Sequence, residues 1–183
     1  IDAGAEYTTG DYGGDQSVDE FYVPVTATLD LERVAFRLTV PFLSVKAPAL
    51  TVIDGPDGQP IVGDGPSVTS SGIGDVQAAV TVYDVLVSND GDLALDLTGK
   101  IKFGTADVDD GLGTGEQDYV VQADWFRFFS RFTAMGTAGY SFRGDPVGYD
   151  LRDTFHASLG GSYPLRDSLT CGAFYDYRES SIQ

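Results

Sequence analysis

The chain has few cysteines, histidines and basic residues, and each shortage excludes a class of site. Its single cysteine, Cys171, excludes an intramolecular disulfide framework and any metal site built from several cysteines. Cys171 stands on the apolar side of an alternating segment, which predicts a small buried hydrophobe. Because there are 11 Lys and Arg against 28 Asp and Glu, the net charge is −17. That charge argues against nucleic acid and anionic membrane surfaces as partners, since phosphates bind to positive fields.

Long apolar runs are also absent, and alternation takes their place. No run approaches the roughly 18 apolar residues that a membrane helix needs, and no segment has the pattern of an amphipathic helix. From Leu93 to Phe103 apolar residues instead alternate with polar ones, and after an acidic loop the alternation resumes from Tyr119 to Trp125. Since successive residues of a strand point to opposite faces, this stretch predicts a β-hairpin with one apolar and one polar face.

The same unit recurs along the whole chain. Alternating segments predict about nine strands, at 3–8, 21–31, 34–42, 76–82, 93–103, 119–125, 132–142, 155–165 and 169–177. Most of them approach the length of about 9–11 residues that a tilted membrane strand has. The predicted fold class is therefore all-β, with residues 1–183 forming a single antiparallel up-and-down barrel.

Two asymmetries favour a transmembrane β-barrel over a soluble β protein. Long connections near 10–20, 46–74, 104–117 and 144–153 alternate with short turns near 30–33, 88–92, 128–131 and 166–168, as the external loops and periplasmic turns of outer-membrane barrels do. Aromatic residues of the apolar face lie beside the long connections: Tyr7, Phe21, Phe42, Phe103, Tyr119, Tyr140, Phe142, Phe155, Tyr175 and Tyr177. Such girdles are typical of a membrane interface, and Trp125, Phe132 and Tyr163 mark the opposite one. Alternation alone also fits a β-sandwich or a soluble ligand-binding β-barrel, in which the apolar face is the core.

Several segments resemble one known family in order and spacing. They are YTTGDYGG, FYVPVTATLDLERVAFRLTVPFL, SGIGDV, DLTGKIKFGTAD, LGTGEQDY and GDPVGYDLRD, and they resemble bacterial outer-membrane proteins grouped as transporters of the phenol meta-degradation pathway. The resemblance implies an outer-membrane β-barrel in the bacterial outer membrane that takes up small hydrophobic or aromatic solutes. Family members continue for a few more strands, and bacterial barrels have an even strand number. We therefore expect about twelve strands in the complete protein.

The polar face supplies the candidate solute path. Its predicted members are Arg37, Gln77, Tyr83, Asp96, Lys100, Lys102, Gln122, Asp124, Arg127, His156, Asp176 and Arg178. These side chains either line a polar path or pair across strands and fill the interior. In the hairpin, we expect Lys100 to face Asp124 and Lys102 to face Gln122. The alternative function is a non-transporting membrane barrel that self-assembles through open strand edges, because unpaired edges recruit strands.

No catalytic constellation is present, so we expect neither an enzyme nor a cofactor. The only histidine, His156, is predicted to be a hydrogen-bonding group of the polar face, because a catalytic triad also needs a placed nucleophile and an orienting acid. The acidic loop raises a weaker calcium hypothesis, in which Asp107, Asp109, Asp110 and Glu116 are ligands. A solvated external loop explains these residues better. The expected partners are outer-membrane lipid or lipopolysaccharide and a small-molecule solute.

Overall fold

A single antiparallel sheet contains almost all of the regular structure. The computed structural model describes residues 1–11, 16–53, 60–63, 65–146, 151–166 and 168–181. The strands are β1 (Asp2–Ala3), β2 (Glu6–Gly10), β3 (Val18–Asp30), β4 (Val34–Pro48), β5 (Ser67–Ile73), β6 (Gln77–Val87), β7 (Leu93–Lys102), β8 (Asp118–Phe128), β9 (Thr133–Phe142), β10 (Thr154–Arg166) and β11 (Leu169–Arg178). None of the described residues lies in a helix, so no helix among them is long and apolar enough to cross a membrane.

Strand order follows the chain, with two additions. The path runs β1-β3-β4-β6-β7-β8-β9-β10-β11, while β2 lies beside β3 and β5 lies beside β4. This confirms the predicted all-β antiparallel architecture. The sheet is open in the described part of the chain, because β11 pairs with β10 but not with β1 or β2. The predicted connections near 10–20, 46–74, 144–153 and 166–168 each include residues outside the described ranges.

The structure has eleven strands where the alternation predicts about nine, and two prolines account for the difference. Pro24 of β3 lies directly opposite Pro41 of β4 without any shift in register. A proline has no N–H to donate, so the neighbouring ladder is interrupted there. Beside Pro24 the predicted first strand divides into β1 and β2, and beside Pro41 the partner of β4 changes from β6 to β5. Strand β5 lies in a connection that the sequence predicts as loop.

The two faces of the sheet differ in exposure. Large apolar side chains of the apolar face are open, with Val121 54% and Leu159 59% exposed. Aromatic residues of the predicted loop-side girdle are exposed on the same face, except the half-buried Phe103, and Tyr140 and Phe142 pack edge to face with ring centroids 5.0 Å apart. The polar face is mostly half-buried. Cys171 is exposed on the edge strand β11, so the prediction of a buried cysteine is wrong.

The compact core of the molecule lies at the loop end of the polar face. Strand β4 extends beyond Phe42, and there its polar side becomes apolar. Side chains from this part of the sheet and from the 49–66 and 103–117 connections pack into one buried cluster: Val18, Leu43, Val45, Ala47, Ile53, Ala106 and Leu112. The N–H of Ile53 donates to the carbonyl of Gly111 at 3.1 Å, which joins the two connections. We call the described parts of these connections, residues 49–53, 60–63, 65–66 and 103–117, the cap, because they cover the loop end of the polar face.

Candidate functional site

Strand register arranges the polar face beneath the cap into rows. Residues directly opposite each other in neighbouring strands share a face and a level. The middle row contains Thr98, Gln122, Gly139, His156 and Arg178. The acidic row, two residues further from the long loops, contains Asp96, Asp124, Thr137, Ser158 and Asp176. Because a strand rises about 3.3–3.4 Å per residue, the two rows lie about 6.7 Å apart.

A hydrogen-bonded chain links the two rows across three strands. The Gln122 Nε2 donates to both carboxylate oxygens of Asp124, at 3.0 and 2.8 Å, and the Thr137 hydroxyl donates to Asp124 Oδ1 at 2.6 Å. The His156 Nε2 lies 3.4 Å from Gln122 Oε1. Hydrogen bonds to a charged group are the stronger ones, so three donor contacts hold this carboxylate in place. Asp124 therefore presents a negative charge at a fixed point in the middle of the polar face.

Asp96 lies directly opposite Asp124, and its carboxylate is held by a hydrogen bond from the neighbouring strand β6. Its Oδ1 accepts the backbone N–H of Asp84 at 2.9 Å. Asp84 has a positive φ of 52° and lies where the β6–β7 register shifts. An Asp tolerates this left-handed conformation better than most residues. The bulge aims a backbone donor at Asp96, so two carboxylates at one level are both supplied with hydrogen bonds.

The position of His156 depends on a glycine in the neighbouring strand. The imidazole lies against Gly139, and a Cβ added there would overlap the Nε2 and Cε1 atoms of the ring. Any larger residue at 139 would therefore push the ring away from Gln122. Phe174 lies against Gly160 in the same way, since a Cβ on Gly160 would overlap the Cδ1 of that ring.

A buried ion cluster joins the polar face to the cap. Lys102 is 6% exposed, and its Nζ lies 2.7 Å from Asp118 Oδ2, 3.6 Å from Asp75 Oδ2 and 3.2 Å from Thr114 Oγ1. Asp75 Oδ1 accepts the N–H groups of Thr105 and Ala106, both at 2.9 Å. We call Lys102, Asp75 and Asp118 the ionic pin.

The carboxylates of the ionic pin also hold backbone from two loops. Asp118 Oδ1 accepts the N–H of Gly144 at 2.9 Å, so the pin reaches the connection after β9. Breaking one member of a buried ion pair leaves an uncompensated charge. The pin therefore ties the loop after β7 and the loop after β9 to the same end of the sheet.

Most residues of the predicted solute path lie on the same face of the sheet, the polar face. Those placed there are Arg37, Gln77, Tyr83, Asp96, Lys100, Lys102, Gln122, Asp124, His156, Asp176 and Arg178. Arg127 is the exception, because it shares the apolar face with Trp125 and stacks on Phe129, with its Cζ 5.5 Å from the ring centroid. The prediction that Arg127 lies on the polar face is therefore wrong. The role of the other residues in lining a solute path stays a prediction.

The hairpin register also differs from the sequence expectation. Lys100 lies opposite Val120, and Lys102 lies opposite Asp118 rather than Gln122. The ion pair of Lys102 with Asp118 closes the hairpin at the point where the loop leaves the sheet. Sequence reasoning missed Asp75 and Thr114 as partners of this lysine, since they come from connections with no periodic pattern.

In the acidic loop, the Asp107 carboxylate stabilises the backbone of its own turn. Asp107 Oδ1 accepts the N–H groups of Asp109 and Asp110 at 3.0 and 3.2 Å, a turn that the carboxylate caps. No group of three metal-ligating side chains converges anywhere in the described ranges, so Asp107, Asp109, Asp110 and Glu116 are not brought together as a calcium site.

At the other end of the sheet, the Ser88 hydroxyl and the Asp92 N–H lower the pKa of Asp90 below its ordinary value.

Comparison with known proteins does not name a family. No protein-family model matches the sequence, and no curated protein matches it at a significant level. The resemblance to transporters of the phenol meta-degradation pathway therefore stays a prediction. The geometry itself consists of a mostly half-buried polar face with a middle row and an acidic row, a cap held over its loop end by the ionic pin, and a mostly exposed apolar face behind it.

Proposed function

We propose that the chain is a bacterial outer-membrane β-barrel protein whose polar face passes or binds a small solute. The observation that carries the proposal is the direction of the two faces. On β3 to β10 most of the large apolar side chains are exposed, while most of the polar side chains behind them are half-buried. Soluble proteins bury such apolar surface and rarely expose a continuous patch of it. An apolar face turned outward is what lipid contact requires.

The distribution of aromatic residues supports the same proposal. Exposed rings of Tyr119, Tyr140, Phe142 and Phe155 gather at the loop end, and small residues such as Ala123 and Ala138 follow toward the middle of the apolar face. Aromatic rings favour the boundary between lipid and water. The family resemblance adds the expectation that the solute is small and hydrophobic or aromatic, while the middle and acidic rows favour solutes that also carry polar groups.

Two adjacent valines of β8 provide a matched test. Val121 lies on the apolar face opposite Gly99, and Val120 lies on the polar face opposite Lys100. Val121→Arg would place a charge in lipid at the level of the girdle residue Tyr140, where the cost is lower than the about 2–4 kcal/mol of the bilayer midplane. We expect Val121→Arg to lower the folded yield in lipid vesicles, as measured by protease protection and gel mobility without heating. Val120→Arg should fold nearly as the wild type does.

Passage of a solute needs a separate measurement. Single-channel conductance in a planar bilayer should show discrete openings that change in size when Asp124 is replaced by Asn. Equal folding losses for the two valine variants would contradict the lipid-facing role of the apolar face. A protein that folds in vesicles but gives no conductance and no solute flux would reject the transport role.

The edge strand favours a second function, self-assembly within the membrane. All residues of β11 are exposed, and within the described ranges this strand has a partner on one side only. Unpaired backbone groups of an edge recruit a further strand. Size-exclusion chromatography in detergent should then show concentration-dependent oligomers. A sharp monomer at all concentrations would contradict this alternative.

A further inference from the structure

The connection between β7 and β8 closes on itself at its base. A Cβ on Gly104 would overlap the carbonyl group of Gly115, so the two backbones touch where the connection leaves the sheet and returns to it. Residues 105–114 lie beyond this neck, and we call them the lobe. Within the lobe, the N–H of Leu112 donates to the carbonyl of Asp107 at 3.0 Å. Surface loops of about this length whose ends lie close together are packed by their own side chains. The lobe is therefore a compact unit with a narrow base.

Side chains, rather than a backbone ladder, hold the lobe against the sheet. In the described part of the chain no strand pairs with the lobe. From the ionic pin, Lys102 Nζ lies 3.2 Å from Thr114 Oγ1. The Oδ1 of Asp75 accepts the N–H groups of Thr105 and Ala106, both at 2.9 Å. Segments without a ladder to the sheet open at a lower free energy than the strands do. The lobe can therefore detach while the sheet stays folded.

We propose that the lobe is a lid over the loop end of the polar face and that the ionic pin is its latch. The lid swings on the neck, where Gly115 has a φ of 75°, a conformation that glycine adopts without steric cost. Opening lifts Ala106 and Leu112 out of the buried cluster and uncovers Val45 and Ala47 of β4. The inference rests on the proposed role of the polar face as a solute path and adds the element that controls entry to it.

A crevice marks the line along which the lid parts from the sheet. Val108 and Asp109 of the lid line one wall, and Ala47 of β4 and Val68 of β5 line the other. Because this crevice already separates the two walls, opening does not have to break contacts along the whole edge of the lid. The contacts that it must break are those of the ionic pin and the packing of Leu112 in the buried cluster.

Thiol modification measures the opening of the lid without any solute. Ala47 and Ala35 both lie on the polar side of β4 and are matched in burial, at 4% and 3% exposed. Ala47 lies under the lid, whereas Ala35 lies beside the turn that joins β3 and β4. Each is replaced by cysteine in the full chain with Cys171→Ser, folded in detergent and treated with a polar thiol reagent. We expect modification at position 47 to be at least tenfold faster than at position 35.

A conservative change at the latch should shift only one of these two rates. Thr114→Val keeps the shape of the side chain but removes the hydroxyl that contacts Lys102 and accepts the N–H of Glu116 at 3.3 Å. Since hydrogen bonds to charged groups are the stronger ones, we expect about tenfold faster modification at position 47 and no change at position 35. Thr114→Ser retains the hydroxyl and should leave both rates unchanged.

A reversible disulfide between the lid and the sheet connects the motion to entry of a solute. The Cδ1 of Leu112 lies 2.8 Å from the position that a Cβ on Gly72 of β5 would take. Cysteines at 72 and 112 therefore come within bridging reach, and the change at 112 removes the overlapping atom. In the Cys171→Ser background, the oxidised bridge should lower the frequency of single-channel openings at least tenfold. Reductant should restore the openings, so the same protein is its own control.

The outcomes separate the lid from the proposed function. Equal modification rates at positions 47 and 35, or a rate at 47 that Thr114→Val does not change, would overturn the lid. Unchanged conductance of the oxidised bridge would retain the transport role and reject the lid as its gate. Fast, Thr114-dependent modification at 47 in a protein without conductance would retain the lid and reject the transport role.

Discussion

The loop end and the middle of the polar face are built differently. At the loop end, Leu43 and Val45 of β4 pack under Leu112 of the cap, and Lys102 lies buried between two carboxylates. In the middle of the face, between β8 and β11, polar groups meet in hydrogen bonds and remain half-exposed. The first region is held by burial of apolar and ionic groups, and the second by a chain of polar contacts. The difference indicates a packed loop end and a more accessible polar region beside it.

Removal of the lysine from the ionic pin should have the largest effect on stability. Lys102→Met leaves Asp75 and Asp118 buried without a cation, which costs about 3–5 kcal/mol when one partner of a buried pair is lost. Urea unfolding in lipid vesicles would measure the loss. The triple variant with Asp75→Asn and Asp118→Asn should recover much of it. If Lys102→Met unfolds at the same urea concentration as the wild type, the pin does not stabilise the loop end.

Truncation of the cap should have the next largest effect. Leu112 is 2% exposed and touches the core from the loop side. Leu112→Ala should cost about 2–5 kcal/mol, since a buried leucine leaves a cavity when it is shortened. The matched control is Leu97→Ala on the exposed apolar face, where 42% of the residue is open. Equal losses in the two variants, measured by the same unfolding experiment, would remove the distinction between a packed loop end and the rest of the sheet.

A substitution under His156 should affect the middle of the polar face without disturbing the cap. Gly139→Ala places a Cβ where the imidazole lies, so the ring must move from Gln122. Overpacking of this kind costs about 1–3 kcal/mol. Nitrogen NMR of the His156 ring should show a changed signal, while the amide signals of Thr105 and Ala106 in the cap stay in place. Movement of the cap signals would show that the two regions are coupled.

The smallest effect is expected at the turn end. The Ser88 hydroxyl and the N–H of Asp92 lower the pKa of Asp90, so Ser88→Ala should raise it toward its ordinary value. A carboxyl whose pKa is depressed on folding stabilises the protein above its unfolded pKa, and this contribution is lost as the pH falls through its folded value. Carboxyl carbon NMR titration of Asp90 would measure the change. An unaltered titration midpoint would contradict the hydrogen bond as its cause.

Alternation along the strands is enough to predict the all-β antiparallel architecture and the face on which Asp96, Gln122, Asp124 and His156 lie. A period of two depends only on backbone geometry, so it can be read from the sequence. The ionic pin cannot be predicted in this way, because Asp75 and Thr114 reach Lys102 from connections without periodicity. The prediction for Arg127 is wrong because it followed the charge of the side chain. The position of Arg127 in the alternation assigns it to the apolar face. The bulge at Asp84 and the division of strands at Pro24 and Pro41 depend on tertiary contacts.

The most direct test of the central claim is which face of β8 touches lipid. A fluorophore on Val121→Cys and another on Val120→Cys, each in a Cys171→Ser background, would be compared in vesicles that contain brominated lipid. Because the two residues are adjacent on opposite faces, they differ in direction and hardly in depth. An outward apolar face predicts strong quenching at position 121 and weak quenching at 120. Equal quenching at the two positions, or stronger quenching at 120, would contradict it.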